Sequence, residues 1–242
     1  NPYMIHLALE MGNSRFAYYQ SLFGFGKITG IDLPGETTGI VYGDRMTTID
    51  AACNSFGQTI NVNMMQMMAA YCSIINGGML YQPHIVKRIE SANGEVVKEY
   101  KANLVRQTIT ASTSKLLRRY LKNTVEEGTA KKAGVTGYSV AGKTGTAQKG
   151  DRKDNKWIIS FIGHAPAENP KFAIYVVIDE PYGTTGTSGS SADVLTLTHN
   201  ILEKLLPYMN VYKDASDEYE DTSSSPDELT VDGIPAGTAS SN

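Results

Sequence analysis

Apolar positions along this chain fall into runs of helical or strand spacing, punctuated by glycine. "YMIHLALEMG" is apolar at helical spacing and stops at Gly12, and "SRFAYYQSLFGFG" repeats the pattern up to about Gly24. Both read as helices, because a glycine just past the last periodic residue takes the left-handed position that closes a helix. "KITGIDLPGETTGIVYGD" breaks the period with Gly and Pro and reads as an irregular connection. "NVNMMQMMAAYCSIINGG" is apolar almost all round before its Gly77-Gly78 stop and is the strongest helix. Its Met64, Met65, Met67 and Met68 are expected to fill core gaps, as flexible thioether side chains do. "QPHIVKRIESANGEVVKEYKANLV" reads as a hairpin about Asn93-Gly94 with a two-residue turn. "TASTSKLLRRYLKNTVEEG" is an amphipathic helix with Leu117, Tyr120 and Leu121 on one face, closed by Gly128. Two β-rich runs follow, "KWIISFIGHA" and "KFAIYVVID", separated only by "PAENP"; "SADVLTLTHNILEKLLPYM" is a final helix with Pro207 near its end. From Asp214 onward Ser, Thr, Gly and acids replace apolar residues, which predicts a disordered acidic tail. The expected division is a folded part over 1–212 and the tail over 213–242.

Composition adds three constraints. The content of apolar residues is 41% and of charged residues 19%, as in ordinary folded soluble domains. The formal net charge is −3, but residues 214–242 hold eight acids and no Lys or Arg, and subtracting them leaves +5 for residues 1–213. Those basic residues are dispersed, so no nucleic-acid footprint forms. The longest apolar runs fall well short of the ~18 residues a membrane span needs. Cys53 and Cys72 lack the spacing of a redox or zinc motif; a disulfide stays open, and two buried free thiols are the expectation.

The chemistry centres on "GYSVAGKTGTAQ", Gly137–Gln148, which fits two motifs at once. From Gly137 it matches the phosphate-cradling G-x-x-x-x-G-K-[ST] loop, and "IYVVIDE", ending in Asp179-Glu180, resembles the acidic strand that holds magnesium in triphosphatases. From Lys143 it reads K-T-G, a signature of penicillin-binding proteins and class A β-lactamases. A phosphate loop needs a helix opening at its Lys-Thr, whereas Gly145 and then "TAQKGDRKDNK" carry no apolar period. It also needs a parallel sheet, and "PAENP" is too short for the crossover that a parallel return requires. The phosphate reading therefore fails on context. As a strand, "YSVAGKTGTA" joins the two following runs in a three-strand antiparallel meander with the final helix available to cover one face. Such a strand can pair with an extended peptide. Lys143, with the hydroxyls of Thr144 and Thr146, can bind a terminal carboxylate; a backbone N–H can serve an oxyanion hole; Gly145 permits close backbone approach.

With "FGFGKITGIDLPGE", "NSFGQTINVNMMQMMAAYCSIINGG", "QPHIVKRI", "VEEGTAKKAGVTGYSVAGKTGTAQ" and "SFIGHAP" in this order, residues 1 to about 212 resemble the C-terminal part of a class B penicillin-binding protein. These are the D,D-transpeptidases that cross-link peptidoglycan, and the similarity is greatest to the division and sporulation group of Gram-positive bacteria. The resemblance implies an α/β (α+β) fold with an antiparallel sheet between helical layers, N-terminally truncated here. Lys143, Thr144 and Gly145 look like the family's third motif, and Thr146 stands where the family places an oxyanion-hole amide and a carboxylate-binding hydroxyl. The family's S-x-N-P often opens a helix like "MIHLALEMG", so Asn1 is expected to be the last residue of the second motif, with the nucleophile-bearing S-x-x-K preceding this chain. The implied reaction is attack by that upstream Ser on a D-Ala-D-Ala stem peptide, then transfer of the acyl group to a neighbouring stem amine. β-Lactams would acylate the same Ser, no cofactor or metal is required for covalent acyl transfer, and the chain alone is expected to be inactive. The resemblance also implies an extracytoplasmic location, an upstream membrane anchor, and division or sporulation partners reached through upstream regions.

Two internal matches compete with this assignment. Ser112-Thr113-Ser114-Lys115 fits S-x-x-K and Ser91-Ala92-Asn93 fits S-x-N, but their order is wrong for the family. Ser91 and Asn93 enter a turn, where local hydrogen bonding explains them, and Ser112 lies in a helix's first turn, where such residues cap free amides. His6, His84, His164 and His199 are scattered and expected in surface or packing roles, without metal spacing. Gly189 to Ser191 precede the last helix and carry no assigned role. Two alternatives stand beside the enzyme: a catalytically dead module using the same strand edge to hold peptides, and, remotely, a nucleotide-binding protein.

Overall fold

The computed structural model of the chain describes residues 1–150, 153, 156–181 and 190–215. Helices α1 (Pro2–Met11) and α2 (Asn13–Leu22) meet at Gly12, whose φ of 81° makes the break. A short helix α3 (Thr48–Asn54) follows the Gly/Pro-rich connection, then α4 (Met64–Ile75). Strands β1 (Met79–Gln82) and β4 (Asn103–Gln107) pair antiparallel around a projecting hairpin of β2 (Arg88–Glu90) and β3 (Val96–Glu99). After α5 (Ala111–Glu126) comes the three-stranded sheet of β5 (Ala141–Lys149), β6 (Lys156–Ala165) and β7 (Phe172–Asp179), then α6 (Ala192–Tyr208). The sheet is an antiparallel meander in the order β5-β6-β7, as the short "PAENP" link requires. Both β5 and β7 are margins of it, with no further strand paired to either among the described residues.

Alternation sorts the sheet's side chains. Ile159 and Phe161 of β6 face α6 and pack with Val194, Leu202 and Leu206, all fully buried. Each such side chain contributes about 1.5–3 kcal/mol of hydrophobic stabilisation. On the opposite face, β6 turns His164 toward Tyr71 of α4. The sheet is thus held between α6 on one side and the end of α4 on the other.

Several local expectations are corrected. The β2–β3 loop has three residues, not two: Gly94 N–H donates to Ser91 C=O, and Gly94 (φ 82°) supplies the left-handed residue that lets strand pairing resume at Ser91 and Glu95. Met64 is 50% exposed and Met65, Met67 and Met68 are only half-buried, while Gln66, Ala70, Tyr71, Ser73 and Ile75 form the buried face of α4. In α5 it is Ser114 and Val125 that are buried, and Tyr120 is 54% exposed. Cys53 and Cys72 are free thiols, both half-buried. The tail expectation falls almost wholly on residues 216–242, which lie outside the described residues, as does Gly189.

Candidate active site

Lys143, Thr144, Gly145 and Thr146 occupy the middle of β5, on the open margin of the sheet. No helix opens at Lys143-Thr144, and the strands on either side of "PAENP" run antiparallel, so the phosphate-loop geometry is absent. Facing partners on β6 are Ile162 for Lys143, Phe161 for Thr144, Ser160 for Gly145 and Ile159 for Thr146. Directly paired residues share a face, so Lys143 and Gly145 lie on the His164 side and Thr144 and Thr146 on the α6 side. The long Lys143 side chain nevertheless reaches round the edge. Its ammonium donates to the Thr144 carbonyl at 2.9 Å and lies 3.3 Å from the Thr144 hydroxyl. A cation and a hydroxyl therefore meet at an unpaired strand edge, the arrangement that accepts a carboxylate at the end of an extended peptide. Thr144 also comes within 3.5 Å of the Thr129 hydroxyl, which extends the polar wall from the loop after α5. Thr129 lies within "VEEGTAKKAG", but only the fold reveals that this segment meets the motif.

The glycines of the strand answer to specific neighbours. A Cβ at Gly145 would stand 2.6 Å from Ser160 Oγ, and Ser160 is engaged by the half-buried Tyr175, whose hydroxyl partial burial pushes up in pKa. A Cβ at Gly142 would stand 2.3 Å from the Phe161 ring, which crosses beneath the strand.

Asn1 precedes α1, its exposed side chain makes no capping bond, and α1 packs on α3 and α2. Both internal matches are held by local hydrogen bonds. Thr110 caps α5 by accepting from Thr113 N–H, and Ser112 is bonded to the Thr110 hydroxyl at 2.9 Å. Ser114 is buried, donating to Ile74 C=O at 2.6 Å while accepting from Gly77 N–H and Arg118. Ser91 accepts from Glu95 N–H across its turn. A cavity of about 480 Å³ lies elsewhere, lined by Cys72, Asn76, Arg118, Glu168 and Lys171 among others, and none of Lys143–Thr146 lines it. Burial raises the Cys72 pKa, which disfavours a reactive thiolate there.

The histidines take packing and surface roles. His6 lies beside Glu10 on the surface, His84 stacks on Tyr100, and His199 bonds Gly134 C=O at 2.6 Å. His164 is buried between Tyr71 OH (Nδ1, 2.7 Å) and Ala167 C=O (Nε2, 3.1 Å). A carbonyl only accepts, so Nε2 carries the proton and the bare Nδ1 accepts from Tyr71. Burial lowers the His164 pKa to about 4. Among the described residues no group of His, Cys, Asp or Glu is arranged to hold a metal, and no helix is long and apolar enough to cross a membrane.

The sequence profile of the penicillin binding protein transpeptidase domain matches residues 1–203. Stage V sporulation protein D of Bacillus subtilis is 40% identical over 216 residues, covering 87% of this chain and 33% of that protein. Peptidoglycan D,D-transpeptidase FtsI of Escherichia coli is 34% identical over 215 residues, covering 86% of this chain and 34% of that protein. The crystal structure of penicillin binding protein 3 from Mycobacterium tuberculosis in complex with ampicillin superposes with a TM-score of 0.78 at 31% identity, covering 88% of this chain and 50% of that one. The chain thus spans about a third of the length of these curated relatives.

Proposed function

The chain belongs to the penicillin-binding protein transpeptidase family, and from that premise we propose that it supplies the substrate-binding strand of a serine D,D-transpeptidase that cross-links peptidoglycan. The observation that carries the assignment of the site is Lys143-Thr144-Gly145 on an open strand margin, with the Lys143 ammonium and Thr144 hydroxyl converging there. In this reading the extended stem peptide adds to β5 as a further strand. Lys143, Thr144 and Thr146 bind its terminal carboxylate, and the Thr146 N–H contributes to the oxyanion hole. Asn1 is the end of a second motif that comes to the cleft with the preceding part of the protein.

The nucleophile in this reading is a Ser upstream of Asn1. In support, the residues of the local S-x-x-K match are engaged locally, the Ser112 hydroxyl with that of Thr110 and the Ser114 hydroxyl with Ile74 C=O. The acyl-enzyme forms as the Ser Oγ–C bond is made and the terminal D-Ala amine departs with a proton. An amine of a second stem then displaces the Ser. The domain works outside the cytoplasmic membrane, held by an upstream anchor, and division or sporulation partners are reached through upstream regions.

Labelling the full-length protein with a fluorescent penicillin tests this. The expected adduct lies on a Ser upstream of Asn1, and Lys143→Ala slows its formation about 10²-fold, the usual loss when a charge-stabilising donor is removed. Label on Ser112 would overturn the assignment of the nucleophile. No label anywhere would return the strand to a peptide-holding module.

A further inference from the structure

The strand that carries Lys143 is tied down at its root by the segment past the last helix. Ser139, two residues before β5, is 6% exposed. Its N–H donates to Asp214 Oδ1 at 2.7 Å, and its hydroxyl donates to Oδ2 of the same carboxylate. The hydroxyl oxygen in turn accepts from Ala167 N–H, in the β6–β7 turn, at 2.9 Å. Beyond α6 the chain buries Val211 in the core and comes back alongside. Asp214 and Ala215 donate their N–H groups to Gly137 C=O at 3.0 and 3.2 Å. One carboxylate and two amides thus grip both ends of Gly137–Ser139.

We propose that Asp214 is a positioning residue for the substrate-binding strand, acting through Ser139. The proposal rests on the reading of β5 as that strand. Among the described residues β5 pairs with a strand on one side only, β6, and its pairing begins at Ala141. Where the strand leaves the body of the protein, the Ser139 knot is what sets its direction. Lys143 lies four residues on, about 13 Å at the rise of a strand, so a small tilt at the root displaces the ammonium. Misplacement of a binding group by about 1 Å costs up to ~10²-fold in rate. The residues just after α6 are therefore part of the working site, not the first residues of an inert extension.

The test compares full-length wild-type protein with Asp214→Ala, Asp214→Asn and Ser139→Ala. Two quantities are read: the acylation rate with a fluorescent penicillin at low temperature, and deuterium exchange of peptides spanning 137–149. Asp214→Ala is expected to slow acylation about tenfold and speed exchange in 137–149 while peptides from β7 are unaffected. Asp214→Asn, which keeps an acceptor for the Ser139 N–H, falls between. The Ser139→Ala/Asp214→Ala double variant is no slower than Asp214→Ala, because the two act as one unit. A chain ended at Lys213 behaves like Asp214→Ala, and one ended at Ala215 behaves like wild type. Asp214 lies at the surface, so the Asp214 variants are expected to fold; a merely structural role would lower the melting temperature and leave the acylation of folded protein unchanged. Acylation within twofold of wild type in all three variants, with unchanged exchange in 137–149, overturns the proposal. If the wild-type protein is not acylated at all, the functional reading fails, and the exchange comparison still decides whether Asp214 holds the strand.

Discussion

At the scale of single residues, the motif strand is defined as much by what its glycines leave out as by what its lysine offers. K-T-G is legible in the sequence, and so is Gly145 as a point of close approach. Its neighbour is not: Ser160 lies 15 residues further on and meets Gly145 only through the β5–β6 register. Gly145→Ala should lower stability by about 1–3 kcal/mol, because the new methyl group overpacks against Ser160 Oγ. Adding Ser160→Ala should recover most of the loss, since the next atom, Ser160 Cβ, stands at an ordinary 4.0 Å. Denaturant unfolding of the two single variants and the double variant measures this, and a double variant no better than Gly145→Ala would place the strain elsewhere. Ser112 shows the other side of this: a matching local pattern lies in the first turn of α5, where its hydroxyl is bonded to that of Thr110.

Among elements, the meander was readable because two β-rich runs joined by five residues admit one pairing. The β1–β4 pair was not, since its strands lie on either side of a complete hairpin and nothing local announces the partnership. Helix α3 is short enough to escape a periodicity search, although its Thr47–Asp50 capping box is a sequence signal. A second capping box, Asn63–Gln66, starts α4, and its Gln66 does more than cap. The side chain is 1% exposed, and its amide donates to Lys27 C=O at 2.6 Å and Thr38 C=O at 3.0 Å, pinning the start of the Gly/Pro-rich connection to its interior. Glu36 fastens that connection internally: burial opposes its charge, but the Thr29 hydroxyl and N–H and the Gly30 N–H outweigh this and lower its pKa. Gln66→Leu is expected to cost about 1–3 kcal/mol or more, because two carbonyls lose their donor. Chemical denaturation would show it as a lower midpoint, and an unchanged midpoint would mean that water replaces the amide.

Across the whole molecule a single line of hydrogen bonds runs from Tyr71 in α4 through His164, Ala167 and Ser139 to Asp214 beyond α6. His164 makes that line sensitive to acid. In the folded protein it gains a proton only near pH 4, against the usual 6.5 in the unfolded chain. As pH falls through this interval the unfolded state takes up the proton first, so stability declines. The loss is about 1.4 kcal/mol per pH unit across the window and on the order of 3 kcal/mol in all. Unfolding midpoints at pH 7, 5.5 and 4.5 should fall more steeply for wild type than for His164→Gln, and parallel profiles would assign the acid sensitivity to other groups. The far margin of the sheet has a different consequence. "FAIYVVID" in β7 is long, apolar, half-exposed and unpaired along one edge among the described residues. Such an edge is a template for another strand, so in the chain by itself it is the segment from which aggregation should start. Concentration-dependent light scattering that Val177→Lys suppresses would identify β7 as the seed, and would make that edge the first place to protect in handling the protein.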